Sequence, residues 1–288
     1  MSTRTILYDA TRDALFRPHL TTGFFPRTEN LPDDLLCAEC SLLAYKRCES
    51  FPEEERETRS ALQSVGFDEV AYFNRDGSQA LAAWNPHSAT AVVAFRGTEQ
   101  EDFTDMAHDL EAFARPWPKG GKVHEGFKTD LDLIWADLDR WLQAHPGRLL
   151  LTGHSLGAAL SILAASLRNP AKLVIFGAPR VGDSDFVETL SGFDVSRYVD
   201  CCDIVTHLPP PFVHLGYVHV NEANPVYIDR LGEIKTGATE GFIHEDGWKA
   251  REEYLLHNSW RRGTAAVRDL ADHAPINYVH ALRHQAAP

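Results

Sequence analysis

The sequence predicts an α/β fold in which a mainly parallel sheet carries helices on both faces. Residues 148–155 and 172–179 each hold consecutive apolar residues, as expected of strands that are covered on both sides. Residues 156–169 lie between them and have a helical pattern. A strand, a helix and a second strand in this order are typical of a parallel sheet.

The remaining elements follow from local patterns. Asp33 or Asp34 can cap the first helix, and two later helices end before Pro146 and Pro170. Residues 232–262 are predicted as a polar insertion with a charged helix near 247–257. The other predicted elements are helices over 35–50, 102–114 and 127–144, strands over 70–74, 80–85 and 90–97, a strand within 196–205, and a hairpin over 217–228.

The composition is that of a globular protein. Hydrophobic residues make up 44% and charged residues 24% of the 288 residues, which excludes a disordered chain, a collagen and a coiled coil. We expect one domain over residues 1–288, although the length would also fit two. The net charge of −13 argues against nucleic acid as a partner. No apolar run approaches the length of about 18 residues that a membrane span needs.

Cysteine usage and the first residues predict a location. The N-terminal residues lack a sustained apolar stretch, since Arg12, Asp13 and Arg17 interrupt it. The five cysteines are an odd number, and Cys37 and Cys40 fit a buried helical stripe better than a zinc site. We therefore expect a reduced, cytoplasmic protein, with secretion by another route left open.

The pattern with the most chemical content is Gly153-His154-Ser155-Leu156-Gly157, which follows an apolar strand and opens an alanine-rich helix. The chain must turn sharply there while one hydroxyl points outward, so the flanking residues must be small. The helix N-terminus favours an anion at the same place. The pattern predicts Ser155 as a nucleophile.

A serine nucleophile needs a base and an orienting carboxylate, and in such a sheet both follow it along the chain. Asp203 is favoured as the acid because a proline-rich exit from the sheet follows it, and Asp200 remains an alternative. His273 is favoured as the base because it lies at a helix end, and His280 remains an alternative. Eight histidines follow Ser155, at positions 207, 214, 219, 244, 257, 273, 280 and 284.

The oxyanion that forms during attack needs two N–H donors. Leu156 directly follows the nucleophile and is the first expected donor. Thr98 ends the turn after the strand over 90–97 and can offer both an N–H and a hydroxyl. An ordinary turn would explain the Arg-Gly-Thr sequence equally well.

Five segments together resemble the class 3 lipases, a family of α/β-hydrolases that includes fungal triacylglycerol lipases and bacterial relatives. The resemblance covers roughly residues 35–280, with the motifs in the family's order. It implies Ser155, Asp203 and His273 as a catalytic triad, with Thr98 and Leu156 at the oxyanion hole. The segments are Phe95–Thr98, Val123–Phe127, Gly153–Gly157, Phe176–Gly182 and Asp203–Pro210.

The resemblance also implies a mobile helical lid after Thr98, here over residues 99–114. Phe103, Met106 and Leu110 share one helical face and could contact substrate. A fixed amphipathic helix would show the same pattern. This segment is acidic and lacks the tryptophan of the fungal lids.

We therefore expect a serine ester hydrolase of lipase type that cleaves acylglycerol-like esters through an acyl-enzyme on Ser155. The expected partners are a small-molecule or lipid ester and, transiently, a lipid–water interface. No metal or cofactor is implied. The first alternative is a short-chain or feruloyl-type carboxylesterase without interfacial activation. The second is a non-catalytic binding protein with a hydrolase fold.

Overall fold

A central sheet organises the chain in the computed structural model, which describes residues 6–27, 31–98, 113–210 and 216–287. In these residues the sheet has eight strands in the order β1-β2-β3-β6-β7-β8-β9-β10. The strands are β1 (Glu69–Arg75), β2 (Ser78–Asn85), β3 (Thr90–Phe95), β6 (Arg148–His154), β7 (Lys172–Phe176), β8 (Val195–Asp200), β9 (Val226–Ile228) and β10 (Ile234–Thr236), while β4 (Ala114–Pro116) and β5 (Lys122–His124) form a separate pair.

The middle of the sheet is parallel from β3 to β9, and the outer strands pair antiparallel. Phe95 is in register with Gly153, and Phe176 is in register with both His154 and Tyr198. The carboxyl ends of four strands therefore lie side by side. This confirms the predicted mainly parallel sheet and places the loops after those strands at one edge.

Helices cover both faces of the sheet, as predicted. The helices are α1 (Arg12–Phe16), α2 (Asp33–Leu43), α3 (Pro52–Ser64), α4 (Glu125–Ala144), α5 (Leu156–Arg168), α6 (Ser184–Glu188), α7 (Glu240–His257), α8 (Arg268–Ala271) and α9 (Pro275–Gln285), with 3₁₀ turns at Pro18–Leu20 and Ile204–His207. Leu150 belongs to the core under α2 and α9, and its neighbour Leu151 belongs to the core under α4 and α5. Consecutive apolar residues therefore fill two different cores.

Several predicted boundaries differ from the structure. The hairpin over 217–228 is wrong, because only Val226–Ile228 forms a strand there, and it pairs parallel with β8. The side chains of Tyr217 and His219 are buried, but Val218 makes only an isolated bridge to Gly182. The helix over 35–50 ends at Leu43, where a turn begins.

The segment 232–262, predicted as a polar insertion, contains β10 at the sheet edge and α7. This helix begins at Glu240, earlier than predicted, because the Thr239 side chain accepts a hydrogen bond from the N–H of Phe242. Among the described helices, none is both long enough and apolar enough to cross a bilayer.

Candidate active site

Ser155 lies at the turn between β6 and α5, with φ 59° and ψ −127°. A positive φ is strained for a residue with a side chain, and here neighbouring glycines make the turn possible. A Cβ at Gly153 would collide with the backbone of Gly157, and a Cβ at Gly157 would collide with the carbonyl of Phe95. Ser155 is only 2% exposed, so its side chain is buried at this turn.

Three side chains form a continuous hydrogen-bonded line. The Oγ of Ser155 lies 2.8 Å from Nε2 of His273, and Nδ1 of His273 lies 2.9 Å from each carboxylate oxygen of Asp203. A carboxylate can only accept, so Nδ1 carries the proton and Nε2 accepts the serine hydroxyl. The structure thus brings together the predicted nucleophile, base and acid.

Asp203 is buried, with 0% exposure, and is held from two further sides. Tyr278 donates its hydroxyl to Oδ2 at 2.6 Å, and the N–H of Val205 donates to Oδ1 at 2.9 Å. Burial raises the pKa of Asp203, but the charge of His273 and the hydrogen bonds from His273 and Tyr278 outweigh burial and hold the pKa below its ordinary value. Asp203 is therefore charged at neutral pH.

Asp200, the alternative acid, has a different environment. Its Oδ1 accepts from the N–H of Cys201 at 2.7 Å, so this hydrogen bond leads away from the imidazole. Burial and the nearby carboxylate of Asp272 raise the pKa of Asp200 well above its ordinary value. A carboxyl that favours its neutral form cannot stabilise a protonated imidazole by charge. His280, the alternative base, lies in α9 beyond Tyr278.

The two predicted oxyanion donors, Leu156 and Thr98, belong to segments that approach each other closely. Leu156 is the first residue of α5, where the backbone N–H groups have no partner within the helix. A Cβ at Gly97 would lie 2.7 Å from the carbonyl oxygen of His154, so the backbone at Gly97 passes close to the serine turn. Thr98 itself is half-buried.

Sequence reasoning missed two aromatic rings beside the base. The ring of His154 lies 4.5 Å from that of His273, centroid to centroid. The hydroxyl of Tyr45 lies 2.8 Å from Nδ1 of His154. Burial and the neighbouring His273 lower the pKa of His154 well below its ordinary value. His154 therefore stays neutral and adds no second positive charge beside the base. The position of His154 inside the serine motif could have indicated its place beside His273, whereas nothing in the sequence around Tyr45 indicated its contact.

Gly177 is a further residue whose role became visible only in the structure. Its φ is +55°, and a Cβ would lie 2.6 Å from Oδ2 of Asp203 and 3.1 Å from Nδ1 of His273. Only a glycine lets the chain after β7 pass this close to the acid and the base.

The residues that precede the acid and the base are joined to each other. Asp272 accepts from the N–H of Cys202 at 3.0 Å, forms an ion pair with Arg268 at 2.6 Å and accepts the hydroxyl of Tyr8 at 2.8 Å. This buried cluster fixes the loop before His273 against the loop before Asp203.

The beginning of the described chain is also fixed to α9. The N–H of Asp9 donates to Oδ1 of Asn277 at 2.8 Å, and the carbonyl of Asp9 accepts from Nδ2 of the same residue at 3.0 Å. The segment before α1 thus lies against the helix that follows the base.

One group in the described residues could in principle hold a metal. Ligand atoms of Cys201, Cys202 and Asp272 lie within 4.8 Å of one another. The hydrogen bond with Cys202 and burial raise the pKa of Cys201, and burial raises the pKa of Asp272, so the deprotonated forms that bind metals are disfavoured. Because Asp272 is already paired with Arg268, the cluster fits hydrogen bonding better than metal binding.

The predicted lid over 99–114, with Phe103, Met106 and Leu110, lies outside the described residues except for its last two positions. Phe113 is exposed and Ala114 begins β4, so the predicted helix does not reach its proposed end.

The sheet and the strained serine at its carboxyl edge define the chain as an α/β-hydrolase. A family model described as lipase (class 3) matches residues 92–213, so this part of the chain is similar to that family. Residues 92–213 carry the serine motif and the acid, and the base follows them.

Individual relatives match part of the chain. A secreted mono- and diacylglycerol lipase of Malassezia globosa is 32% identical over 181 residues, which is 54% of this chain and 58% of the relative. A lipase of Rhizopus niveus is 35% identical over 149 residues, 45% of this chain and 37% of the relative. The chain thus spans less than two thirds of the length of these curated relatives.

Solved structures share the fold. The structure of lipase II from Rhizopus niveus matches with a TM-score of 0.56 at 23% identity, covering 68% of this chain and 79% of that one. A Rhizomucor miehei lipase–propeptide complex matches with a TM-score of 0.52 at 21% identity, covering 78% of this chain and 74% of that one. Both confirm the α/β-hydrolase fold.

The predicted cytoplasmic location is wrong. Several relatives of the chain carry the name of secreted mono- and diacylglycerol lipases. The prediction relied on the first residues of the sequence and on the cysteines. All five cysteines are free thiols, but thiols buried in a core persist in any compartment, so they do not fix the location.

Proposed function

We propose that this protein is a serine ester hydrolase of lipase type, which cleaves acylglycerol-like carboxylic esters through an acyl-enzyme on Ser155. The observation that carries the proposal is the line from Oγ of Ser155 through the imidazole of His273 to Asp203, with distances of 2.8 and 2.9 Å. Serine is a weak nucleophile by itself, and this arrangement is one that activates it.

In the first step Oγ of Ser155 attacks the ester carbonyl carbon while Nε2 of His273 takes the hydroxyl proton. The carbonyl oxygen becomes negatively charged and accepts hydrogen bonds from the N–H groups of Leu156 and Thr98. Asp203 stabilises the imidazolium that forms. Each oxyanion donor of this kind contributes about 2.7–4 kcal/mol to transition-state stability.

In the second step the tetrahedral intermediate collapses, the ester C–O bond breaks, and His273 returns its proton to the leaving alcohol. Water then attacks the acyl-enzyme with the same histidine as base, which releases the carboxylic acid and restores Ser155. The reaction consumes one water, and these residues supply every proton transfer.

The substrate class rests on the relatives. Proteins named mono- and diacylglycerol lipase and triacylglycerol lipase are among the matches, and these names concern acylglycerols. We extend that class to this chain and propose that it works at a lipid–water interface. We also propose that Phe103, Met106 and Leu110 contact the acyl chain.

A fluorophosphonate probe tests the nucleophile. We expect covalent labelling and ester hydrolysis in the natural protein, and loss of both in Ser155→Ala with the fold unchanged. Ser161→Ala is the matched control, because this buried serine of α5 donates to the carbonyl of Ala158 within its own helix. An unlabelled natural protein would leave only the binding-protein alternative, and labelling of Ser155→Ala would place the nucleophile elsewhere.

A chain-length profile tests the substrate. Rates on butyrate and oleate esters are compared below and above their solubility limits. We expect faster hydrolysis of the long-chain ester once it forms a separate phase. Activity confined to soluble short-chain esters would favour the carboxylesterase alternative.

A further inference from the structure

The helix α7 and the turn after it carry four large apolar side chains on the solvent side, which we call the tryptophan face. Single exposed apolar residues are common on protein surfaces, whereas several on the solvent side of one helix and the turn after it indicate a site of interaction. Their exposed fractions are Trp248 65%, Leu255 60%, Leu256 63% and Trp260 71%.

The packing of α7 against the rest of the protein does not depend on the tryptophan face. The opposite side of the helix is buried through Gly247, Ala250 and Tyr254, and the hydroxyl of Tyr254 donates to the carbonyl of Ala265 at 2.8 Å. At about 100° per residue, Trp248 and Leu255 point away from that buried side. The helix therefore has one apolar side for the core and another that the described residues leave open.

The indole N–H groups of Trp248 and Trp260 already have hydrogen-bond acceptors within the protein. Nε1 of Trp248 donates to Nε2 of His244 at 3.2 Å, and Nε1 of Trp260 donates to the carbonyl of Leu256 at 2.9 Å. The rings thus present apolar surface with their N–H groups already bonded. Tryptophan with this balance is enriched where proteins meet the boundary between lipid headgroups and acyl chains.

Charge at the end of the face has the opposite sign to the protein as a whole. The chain carries a net charge of −13, yet Arg261 lies 5.6 Å from the centre of the Trp260 ring and Arg262 follows it, both exposed. Neither forms an ion pair with any carboxylate that the structure describes. Exposed carboxylates that include Glu245 and Glu252 lie along the helix itself, and Glu245 pairs with Lys249 at 2.5 Å. The two arginines are therefore separated from these carboxylates, at the end of the face beside Trp260. Two arginines next to apolar side chains complement anionic lipid headgroups.

The helix α7, which carries the tryptophan face, lies close to the candidate active site. Sγ of Cys202, the residue before Asp203, donates to the carbonyl of Gly247 at 3.6 Å. Arg251 forms an ion pair with Asp269 at 2.6 Å, which links α7 to the short helix that precedes His273. The helix thus lies on the same edge of the sheet as the acid and the base.

We propose that the tryptophan face docks the protein on an anionic lipid surface. This inference rests on the proposed function, since a lipid ester hydrolase must reach substrate held in such a surface. Trp248 and Trp260 enter the headgroup boundary, while Arg261 and Arg262 contact anionic headgroups.

Vesicle binding tests docking without reference to turnover. Ser155→Ala serves as the background, so that no lipid is hydrolysed, and cosedimentation with phosphatidylcholine vesicles is measured with and without phosphatidylglycerol. Adding Trp248→Ser and Trp260→Ser is expected to lower the partition coefficient by about tenfold or more. Leu20→Ser is the matched control, because Leu20 is 54% exposed outside this face, and it should bind as the background does.

Charge and activity give separate readouts. Arg261→Gln with Arg262→Gln should remove the preference for phosphatidylglycerol and the salt dependence of binding. In the otherwise natural protein, the two tryptophan substitutions should leave hydrolysis of a dissolved butyrate ester unchanged and slow hydrolysis of an emulsified ester.

Two results would overturn the docking proposal. One is equal vesicle binding by the tryptophan variant and its background. The other is a dimer in lipid-free solution that the same substitutions convert to monomer, since the face would then bind a second copy of the chain. If vesicles bind through the face but the natural protein hydrolyses no ester, the proposed function fails while docking stands.

Discussion

The hydroxyl of Tyr278 donates a 2.6 Å hydrogen bond to Asp203, and its oxygen accepts the backbone N–H of Asp200 at 3.1 Å. One side chain in the helix after the base therefore fixes the loop that carries the acid. We predict that it is a positioning residue, because its hydroxyl contacts the predicted acid.

Tyr278→Phe should lower kcat by about tenfold while leaving KM nearly unchanged. A hydrogen bond to a charged group contributes about 1.5–3 kcal/mol, and part of that would be lost as the imidazolium forms. The pKa of Asp203 should rise, because one of the hydrogen bonds that lower it is gone, so loss of activity through protonation of this carboxylate should begin at a higher pH. Tyr254→Phe removes another buried hydroxyl and is the control for stability alone. An unchanged kcat and pH profile would contradict the positioning role.

Asp203→Asn and Asp200→Asn should differ strongly. An amide at position 203 cannot stabilise the charged imidazole, and a comparable change in a serine protease triad lowers kcat by about 10⁴-fold. Because burial raises the pKa of Asp200, asparagine there resembles the neutral carboxyl and should be mild. The measurement is kcat on a dissolved ester, with circular dichroism to verify the fold. Equal losses would refute the choice of acid.

Gly177→Ala should reduce activity far more than stability. The new methyl would press on Asp203 and His273, and the positive φ would cost roughly 1–2 kcal/mol as well. Gly237→Ala is the control, because its φ of +69° imposes similar strain with nothing within 4 Å of the added Cβ. Denaturant unfolding and kcat are compared for both variants. Similar kcat values in the two variants would mean that Asp203 and His273 can be displaced without loss of activity.

Stability should fall as the pH drops below about 6.5. Burial and the charges of Arg197 and Arg180 lower the pKa of His219 well below its ordinary value. In that interval the unfolded chain binds a proton that the folded protein does not, so unfolding becomes easier by about 1.4 kcal/mol per pH unit until the folded pKa is reached.

His219→Gln should flatten this dependence. Glutamine can still donate to the carbonyl of Thr206, which Nε2 of His219 contacts at 2.8 Å, but it does not titrate. Urea unfolding of both proteins at neutral and mildly acidic pH measures the slope, and His154 leaves a residual slope of the same sign. Parallel slopes in the two proteins would mean that His219 is not the group responsible.

Local patterns predicted the fold, the family and the place of Ser155. The serine turn depends on residues 153–157 and the elements beside them, so its geometry follows from a short stretch of chain. The acid and the base are different, because each had an alternative that the residues alone left open. The structure brings Asp203 and His273 together, although their catalytic roles stay predictions.

Other features depend on segments far apart in the sequence. Tyr278 lies 75 residues from Asp203, and Tyr45 lies 109 residues from His154, so no local pattern could pair them. The same limit explains the wrong hairpin over 217–228, because alternation of residue types does not reveal which strand becomes the neighbour. Val226–Ile228 found its partner in β8 instead.

The contacts of Tyr8 with Asp272 and of Asp9 with Asn277 join the start of the described chain to its last helix. During synthesis Tyr8 and Asp9 therefore stay without these partners until the ribosome has made residues 272–277. A nascent chain therefore gains His273 and the contacts that hold the segment around it at almost the same moment. A tag or fusion placed before Tyr8 would act on these same contacts with Asp272 and Asn277.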